Sequence, residues 1–203
     1  MLLLQCARGR ATNQRYHIHE LAEFSVEGGY LIDGFPSTGH TSAIASASLI
    51  NAMGFTPVAT IDSDMLKWAR ERKAEWIVSS VAVGSQIPEG KIMAVGSTEE
   101  ARKKISGASM EVMGSGMITG IPGALLNHGA IGGQNVIVVL YNPAHEGADY
   151  RSGALLCTAM SRLVPGTACD IDALQAEAEK AERAMREAET ESGEGILKRG
   201  MYG

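Results

Sequence analysis

Tyr30-Leu31-Ile32-Asp33-Gly34 is typical of a short buried strand that stops at a glycine. The small-residue segment that follows, Thr41–Met53, is typical of a helix closed by Gly54, so the two predict a β-α unit. The alternation continues, because runs rich in Val and Ile are separated by segments with helical spacing. Further strands are predicted at 55–61, 76–83, 91–95 and 135–141, and further helices at 65–73, 98–105, 121–130 and 172–189. One more helix is predicted after Asp149, and it carries Ala154, Leu155, Leu156, Ala159, Met160 and Leu163.

The order of these elements predicts the fold class. Strands separated by helices imply an α/β architecture with a mostly parallel sheet that is covered on both faces. Three helices carry start signals of their own. Ser97-x-x-Glu100 and Asp172-x-x-Gln175 have the spacing of capping boxes, and Asp149 is placed to cap the helix that follows it.

Composition limits the size of the fold and the classes of partner. The chain has 203 residues, 45% hydrophobic and 20% charged, which fits one globular domain with a sizeable core. We expect a single α/β domain at 1–190, including an unassigned N-terminal segment at 1–22, and a flexible C-terminal tail at 191–203. A net charge of -5 with scattered Lys and Arg argues against nucleic acid and against an anionic membrane as partner.

Targeting and cysteine patterns favour the cytoplasm. Met1-Leu2-Leu3-Leu4 is too short for a signal peptide, and no later apolar run is long enough to cross a membrane. Cys6, Cys157 and Cys169 are odd in number and lack the spacing of a zinc site, so we expect reduced thiols rather than a disulfide framework. The sequence therefore predicts a soluble cytoplasmic protein.

The loop after the first predicted strand has the spacing of a phosphate-binding loop, with His40 where such a loop has its lysine. A shorter and mostly neutral imidazole does not replace a permanent charge at the outer phosphates, so nucleotide hydrolysis is not expected. Two alternatives stay open. Backbone amides at the helix start bind an anion or carboxylate, or the loop is a tight turn without a ligand. The residues of this candidate anion or ligand loop are Gly34, Ser37, Thr38, Gly39, His40 and Thr41.

Other polar clusters carry weaker signals. His145 and Glu146 precede Asp149 and would suit acid-base chemistry, but no nucleophile motif accompanies them, and a loop with a capping Asp149 is the stronger interpretation. His17 and His19 would share one face of a strand, without a third metal ligand in view. We therefore predict no catalytic residue, no metal and no cofactor.

The last predicted helix carries a stripe of small and apolar residues at alternating spacings of four and three. This stripe suits packing on the domain itself or, as a second interpretation, a seam between subunits. Glu191-Ser192-Gly193-Glu194-Gly195 is expected to end the helix and to leave a tether that spans roughly 20 Å when flexible. The stripe consists of Leu174, Ala178, Ala181, Met185 and Ala188.

The tip of this tether has three groups that suit a preformed pocket. Met201 supplies a soft apolar side chain, Tyr202 supplies a large ring with a hydroxyl, and a carboxylate on Gly203 supplies acceptors for a lysine or for backbone amides. Such anchors are typical of peptide docking. A disordered end is the alternative.

Five motifs occur in a characteristic order along roughly 30–189. Gly34-Phe35-Pro36 with Gly39 precedes a small-residue helix, and a glycine-rich segment precedes a Val-rich strand. The glycine-rich segment is Met117-Ile118-Thr119-Gly120-Ile121-Pro122-Gly123-Ala124-Leu125-Leu126. After the Val-rich strand, Ala148-Asp149-Tyr150-Arg151 begins a Leu/Ala helix, and Asp170-Ile171-Asp172 begins a charged helix. This order resembles the proteasome assembly chaperone family of archaea and bacteria, homologous to the eukaryotic proteasome assembly chaperones.

The resemblance implies a three-layer α/β/α sandwich of the phosphorylase/hydrolase-like type, found as a homo-oligomer. It further implies a non-enzymatic chaperone or adaptor of archaeal type whose partners are the α subunits of the proteasome core particle. For archaeal members the resemblance implies docking through a C-terminal hydrophobic-Tyr-any motif, which inserts between neighbouring α subunits and whose carboxylate meets a pocket lysine. Met201-Tyr202-Gly203 matches that motif position for position.

Two other functions remain open. The first is an enzyme or small-molecule binder that uses the loop from Gly34 to Thr41 together with Asp33, although no ATP-grasp signature is found. The second is a self-assembling protein whose last helix is its functional surface.

Overall fold

The structure, a computed structural model, describes the backbone of residues 2–4, 19–20, 27–33, 40–54, 59–60, 65–143 and 149–200. Strands and helices alternate through this range. The strands are β1 (Leu2–Leu4), β2 (His19–Glu20), β3 (Tyr30–Asp33), β4 (Ala59–Thr60), β5 (Trp76–Ala82), β6 (Ile92–Gly96), β7 (Glu111–Val112) and β8 (Asn135–Tyr141). The helices are α1 (Thr41–Met53), α2 (Met65–Glu71), α3 (Glu99–Gly107), α4 (Gly120–Gly132), α5 (Tyr150–Leu163) and α6 (Ile171–Gly200).

Six strands form one sheet in the order β1-β3-β5-β8-β6-β7. The first four are parallel to one another, β6 pairs antiparallel with β8, and β7 pairs parallel with β6. At the centre, β5 and β8 pair along their whole length, from Trp76 opposite Asn135 to Ala82 opposite Tyr141. The predicted mostly parallel sheet is therefore confirmed. Strands β2 and β4 form a separate antiparallel pair.

Alternate residues of the central strands pack into two cores, one on each face of the sheet. Ile137 and Val139 of β8 lie in the first core, which includes side chains of α1, α3, α5 and the start of α6. Val136 and Val138 lie in the second core, with Trp68 of α2 and side chains of α4. Helices thus cover both faces, and the fold is the predicted three-layer α/β/α sandwich.

The N-terminal segment, unassigned from the sequence, contributes an edge strand. Leu2, Leu3 and Leu4 pair in register with Leu31, Ile32 and Asp33 of β3. Three residues are too few to show strand periodicity, which explains why the sequence did not reveal β1. Strand β7 is shorter still and was missed for the same reason. The strand predicted at 55–61 is described as β4 and belongs to the small second sheet.

Two helix caps differ from the predicted ones by one or two positions. At α3 the cap is Thr98, whose Oγ1 accepts a hydrogen bond from the Ala101 amide at 3.0 Å. Ser97 instead bonds to β8, because its Oγ accepts from the Val136 amide at 2.9 Å. At α6 the cap is Asp170, whose Oδ1 accepts from the Ala173 amide at 2.9 Å. In each case a neighbouring side chain of similar chemistry takes the capping role.

Helix α6 continues to Gly200, so the predicted break at 191–195 is wrong for the backbone of this segment. Gly193 and Gly195 lower helix propensity by about 1 kcal/mol each relative to Ala, but Glu, Leu, Lys and Arg around them are good helix formers. Residues 201–203 lie outside the described part. No helix among the described residues is both long and apolar enough to span a membrane.

The expectation of reduced thiols is wrong for two of the three cysteines. Cys157 of α5 and Cys169, just before α6, form a disulfide with their Cα atoms 6.0 Å apart. The two residues are brought together because α6 packs back on α5, a tertiary contact that their spacing in the sequence does not show. Cys6 lies outside the described residues.

Candidate functional site

The carboxyl edge of the parallel strands is the part of the molecule where polar side chains converge. Strands β3, β5 and β8 are parallel, so their carboxyl ends meet at one edge of the sheet. Helices α1 and α5, which follow β3 and β8 in the chain, begin at the same edge. In open α/β sheets this is the edge at which ligands bind.

A chain of three buried hydroxyl groups joins these elements. Ser80 Oγ of β5 donates a hydrogen bond to Ser42 Oγ of α1 at 2.9 Å. Ser42 Oγ lies 3.2 Å from the hydroxyl oxygen of Tyr141 at the end of β8. All three residues are almost completely buried. The hydroxyl chain therefore fixes the first turn of α1 against the two central strands.

The sequence places these groups together through two regular patterns. Alternation along β5 puts Ser80 on the same face as Val78, which lies in the first core with Tyr141. Register puts Ala82 opposite Tyr141, so the tyrosine reaches the end of β5. The sequence patterns considered above did not indicate this site. A pair of serines, Ser79 and Ser80, inside an otherwise apolar strand was the available signal, because buried hydroxyls need partners.

The predicted anion loop borders this edge, and two of its six residues are described. His40 is exposed, has a left-handed backbone with φ of 50°, and makes no side-chain cap at the start of α1. Thr41, the next residue, is completely buried. Gly34, Ser37, Thr38 and Gly39 lie outside the described residues, so the prediction of a ligand loop stays untested.

The second polar loop is described at its two ends. Asp149 Oδ1 accepts from the Ser152 amide at 2.9 Å, which confirms Asp149 as the cap of α5. Asn142 Nδ2 donates to the Ile87 carbonyl at 3.0 Å and ties the end of β8 to the strand connection after β5. His145 and Glu146 lie outside the described part of the chain.

Of the predicted histidine pair, only His19 belongs to the described residues. His19 lies in β2, opposite Thr60 of β4, and His17 is outside the described residues. Within the described residues there is no group of three or more His, Cys, Asp or Glu side chains that could hold a metal ion. The described polar side chains at the carboxyl edge include the hydroxyls of Ser42, Ser80 and Tyr141, the Asp149 carboxylate and the exposed His40.

Helix α6 leads to the second candidate site, which is the predicted docking segment at the C-terminus. Leu174 and Ala178 are buried, with Leu174 in the first core, so the first turns of α6 pack on α5 and the domain. This confirms the intramolecular interpretation of the α6 stripe at those two positions. Arg151 of α5 adds an ion pair to Glu182 at 2.8 Å, in which Arg151 is largely exposed and Glu182 is partly exposed. Met201, Tyr202 and Gly203 lie outside the described residues.

The protein is thus an α/β protein, a three-layer α/β/α sandwich with buried hydroxyl groups at its carboxyl edge and a long final helix. The chain belongs to the PAC2 family, whose model matches residues 64–189. This membership confirms the resemblance based on the order of motifs. No curated protein matches the chain in sequence.

Solved structures with the same fold come from archaea and bacteria. PbaA of Pyrococcus furiosus, an archaeal homolog of proteasome-assembly chaperone, matches in its monoclinic form with a TM-score of 0.76 and 18% identity, over 92% of this chain and 99% of PbaA. PbaB of the same organism, an archaeal proteasome activator, matches with a TM-score of 0.68 and 17% identity, over 86% of this chain and 98% of PbaB. A protein of unknown function from Corynebacterium glutamicum matches with a TM-score of 0.60 and 13% identity, over 87% and 90% of the two chains. At these identities the matches establish the shared fold.

Proposed function

We propose that this protein is a non-enzymatic, homo-oligomeric chaperone or adaptor of the proteasome, which docks on core-particle α subunits through Met201, Tyr202 and Gly203. The observation that carries the proposal is the correspondence of the fold with PbaA and PbaB over 92% and 86% of this chain; the first is an archaeal homolog of proteasome-assembly chaperone and the second is an archaeal proteasome activator. Membership of the PAC2 family supports the same assignment.

The form of α6 supports the docking role of the three residues that follow it. Thirty helical residues extend about 45 Å along the helix axis. The first turns are anchored by Leu174 and Ala178, while Glu179, Arg183 and Arg186 are exposed. The helix would therefore act as an arm that carries the docking residues away from the sandwich. Compared with a flexible tether, a helical arm restricts the directions in which its tip can be presented.

Several arms on one oligomer would make docking multivalent. A tip of three residues contributes only a modest affinity, but a second tip on the same oligomer binds at a raised effective concentration. The α-subunit ring of the proteasome offers repeated pockets, which suits an oligomer with repeated tips. This mechanism needs no catalytic group.

Three variants of the tip test the proposal against purified archaeal α-subunit rings by biolayer interferometry. Tyr202→Ala removes the ring and is expected to weaken binding at least about tenfold, the behaviour of an interface anchor. An alanine added after Gly203 moves the carboxylate and is expected to do the same. Tyr202→Phe keeps the ring and should lose less. Glu179→Ala, on the exposed face of α6, is the control that should bind as the wild type does.

The pattern among these variants decides the proposal. Equal binding by all of them would place the docking site elsewhere on the molecule. Failure of the wild-type protein to bind α-subunit rings would overturn the proteasome role itself.

A small-molecule or anion site at the carboxyl edge is the second candidate function. It is favoured by one observation, the convergence of Ser42, Ser80 and Tyr141 beneath the start of α1, next to the exposed His40. Calorimetric titration with inorganic phosphate and with acetate tests it. Saturable binding that is lost in His40→Ala would support this function, and the absence of any heat of binding would remove it.

A further inference from the structure

Helix α4 presents apolar side chains at the centre of its outward face. Its buried positions are Pro122, Leu125 and Gly129, which pack toward the second core. On the opposite side, Ile121 is 47% exposed and Ile131 is 77% exposed, and Ala124 and His128 are exposed between them. A surface helix normally places charged residues in these positions. We call this surface, formed by Met117, Ile121, Ala124, His128 and Ile131, the α4 face.

No charged residue interrupts the α4 face. The sequence contains no Asp, Glu, Lys or Arg from Val112 to His145, a stretch that includes all of α4. Helix α3 shows the usual pattern on the same molecule, because its exposed residues Glu99 and Lys103 form an ion pair at 2.9 Å. At one border of the α4 face, Arg70 of α2 is engaged with α4 itself through a 3.3 Å hydrogen bond from Nη2 to the His128 carbonyl.

The loop that leads into α4 is held in place while its methionine points outward. Gln86 Nε2 donates to the Met117 carbonyl, and the Met117 amide donates to Gln86 Oε1, both at 3.1 Å. A Cβ atom at Gly123 would clash with the Ile118 carbonyl oxygen, so the turn into α4 is closely packed. The Met117 side chain is nevertheless 72% exposed. Because the backbone is already fixed, it loses little conformational entropy on binding, as in a preorganised interface.

The helical residues of the α4 face have the same sequence spacing when they are read in either direction along α4. These four residues are separated by three, four and three positions. If a second α4 lies antiparallel, with a two-fold axis near Leu126, then Ile121 faces Ile131 of the second copy. The small Ala124 then faces the larger His128. Isologous interfaces have this reciprocal pairing, and alternation of small and large side chains lets two helices pack closely.

We infer that the α4 face is a self-association surface, on which α4 of one copy packs antiparallel against α4 of a second copy of this chain. The reciprocal spacing favours a second copy as the occupant, and the absence of charge from the α4 face permits it. Each copy carries a net charge of -5, so two copies repel wherever acidic surfaces meet. The α4 face meets its own counterpart without an opposed or buried charge, whereas a charged partner would leave ions desolvated and unpaired there. This surface deepens the homo-oligomeric part of the proposed function and does not depend on the docking residues.

Sedimentation velocity of the full chain over a wide range of concentrations tests the inference. Ile121→Asp and Ile131→Lys each place a charge in the contact, and each is expected to raise the dissociation constant of self-association at least about tenfold. Leu155→Asp is the matched control, because Leu155 is 46% exposed but lies on α5, which packs on the other face of the sheet. Circular dichroism should show all three variants folded, since the substituted side chains lie at the surface.

The double variant Ile121→Asp/Ile131→Lys tests the antiparallel arrangement. In that arrangement each new Asp meets the new Lys of the second copy, so self-association should return toward the wild-type level. A wild-type protein that is monomeric throughout, or α4 variants that associate as the wild type does, would overturn the inference. A double variant as weak as the single ones would rule out the antiparallel pairing. The assay contains no proteasome, so its outcome is independent of the docking proposal.

Discussion

Ser80 shows how one polar residue can fix the relation between a helix and the sheet. Its hydroxyl donates to Ser42, and Ser42 lies within hydrogen-bond distance of Tyr141, so three elements meet at buried oxygen atoms. A buried hydroxyl that loses its partner retains the cost of its removal from water. The start of α1, and with it the border of the predicted anion loop, therefore depends on this hydroxyl chain.

Deletion of the Ser80 hydroxyl should measurably destabilise the protein. We expect Ser80→Ala to lower the free energy of unfolding by about 1–2 kcal/mol, because Ser42 loses a buried donor. Urea denaturation monitored by circular dichroism measures the change. Thr119→Ala is the control, because the exposed Thr119 makes no side-chain cap hydrogen bond at α4, and its effect should stay within about 0.5 kcal/mol. Equal unfolding free energies for Ser80→Ala and wild type would show that the hydroxyl chain does not stabilise the fold.

The sequence predicts some helices and strands accurately and others poorly. β3, α1 and β8 have the predicted bounds, because strong local signals limit them, such as Gly54 with its left-handed φ of 61° at the end of α1. The end of α6 was misjudged, because helix propensity over many residues outweighs two glycines. The hydroxyl chain and the disulfide were not foreseen. Both depend on residues distant in the sequence, which local patterns do not bring together.

The disulfide between Cys157 and Cys169 joins α5 to the start of α6. Closing a loop across a sequence separation of 12 residues restricts the unfolded chain, which corresponds to about 3 kcal/mol in the chain-entropy model. We therefore expect a reductant to lower the free energy of unfolding of the wild-type protein by about 2–4 kcal/mol. Guanidinium denaturation with and without reductant measures this shift.

The double variant Cys157→Ala/Cys169→Ala provides the control for that measurement. Its unfolding should no longer respond to the reductant, because the bond is absent in both conditions. If the wild-type protein unfolds at the same denaturant concentration in both conditions, the bond does not contribute to stability.

At the scale of the whole molecule, the fold separates two kinds of surface. Helix α4 covers one face of the sheet and carries the uncharged α4 face, whereas α5 and the start of α6 cover the other face. In the proposed oligomer, contact between copies through α4 would leave the α6 arms free on the opposite side of each sandwich. Self-association and docking would then not compete for the same surface.

Self-association should increase the strength of docking. A dimer with two tips can gain a factor of roughly 10²–10⁴ in apparent affinity over a single tip when the geometry allows both to bind. We expect Ile121→Asp to weaken binding to immobilised α-subunit rings within this range, although its docking residues are intact. Surface plasmon resonance at low and high ring density separates this loss of avidity from loss of the tip itself. Wild-type affinity in the Ile121→Asp variant would contradict the multivalent mechanism.

Native mass spectrometry of the full chain with archaeal α-subunit rings and core particles, with and without residues 201–203, tests the proposed function most directly. The account predicts complexes with the full chain, and free rings with the truncated chain, while the oligomer of the truncated chain stays the same size. Complexes that persist without Met201, Tyr202 and Gly203 would contradict docking through these residues. The absence of complexes with either form would contradict the proteasome role.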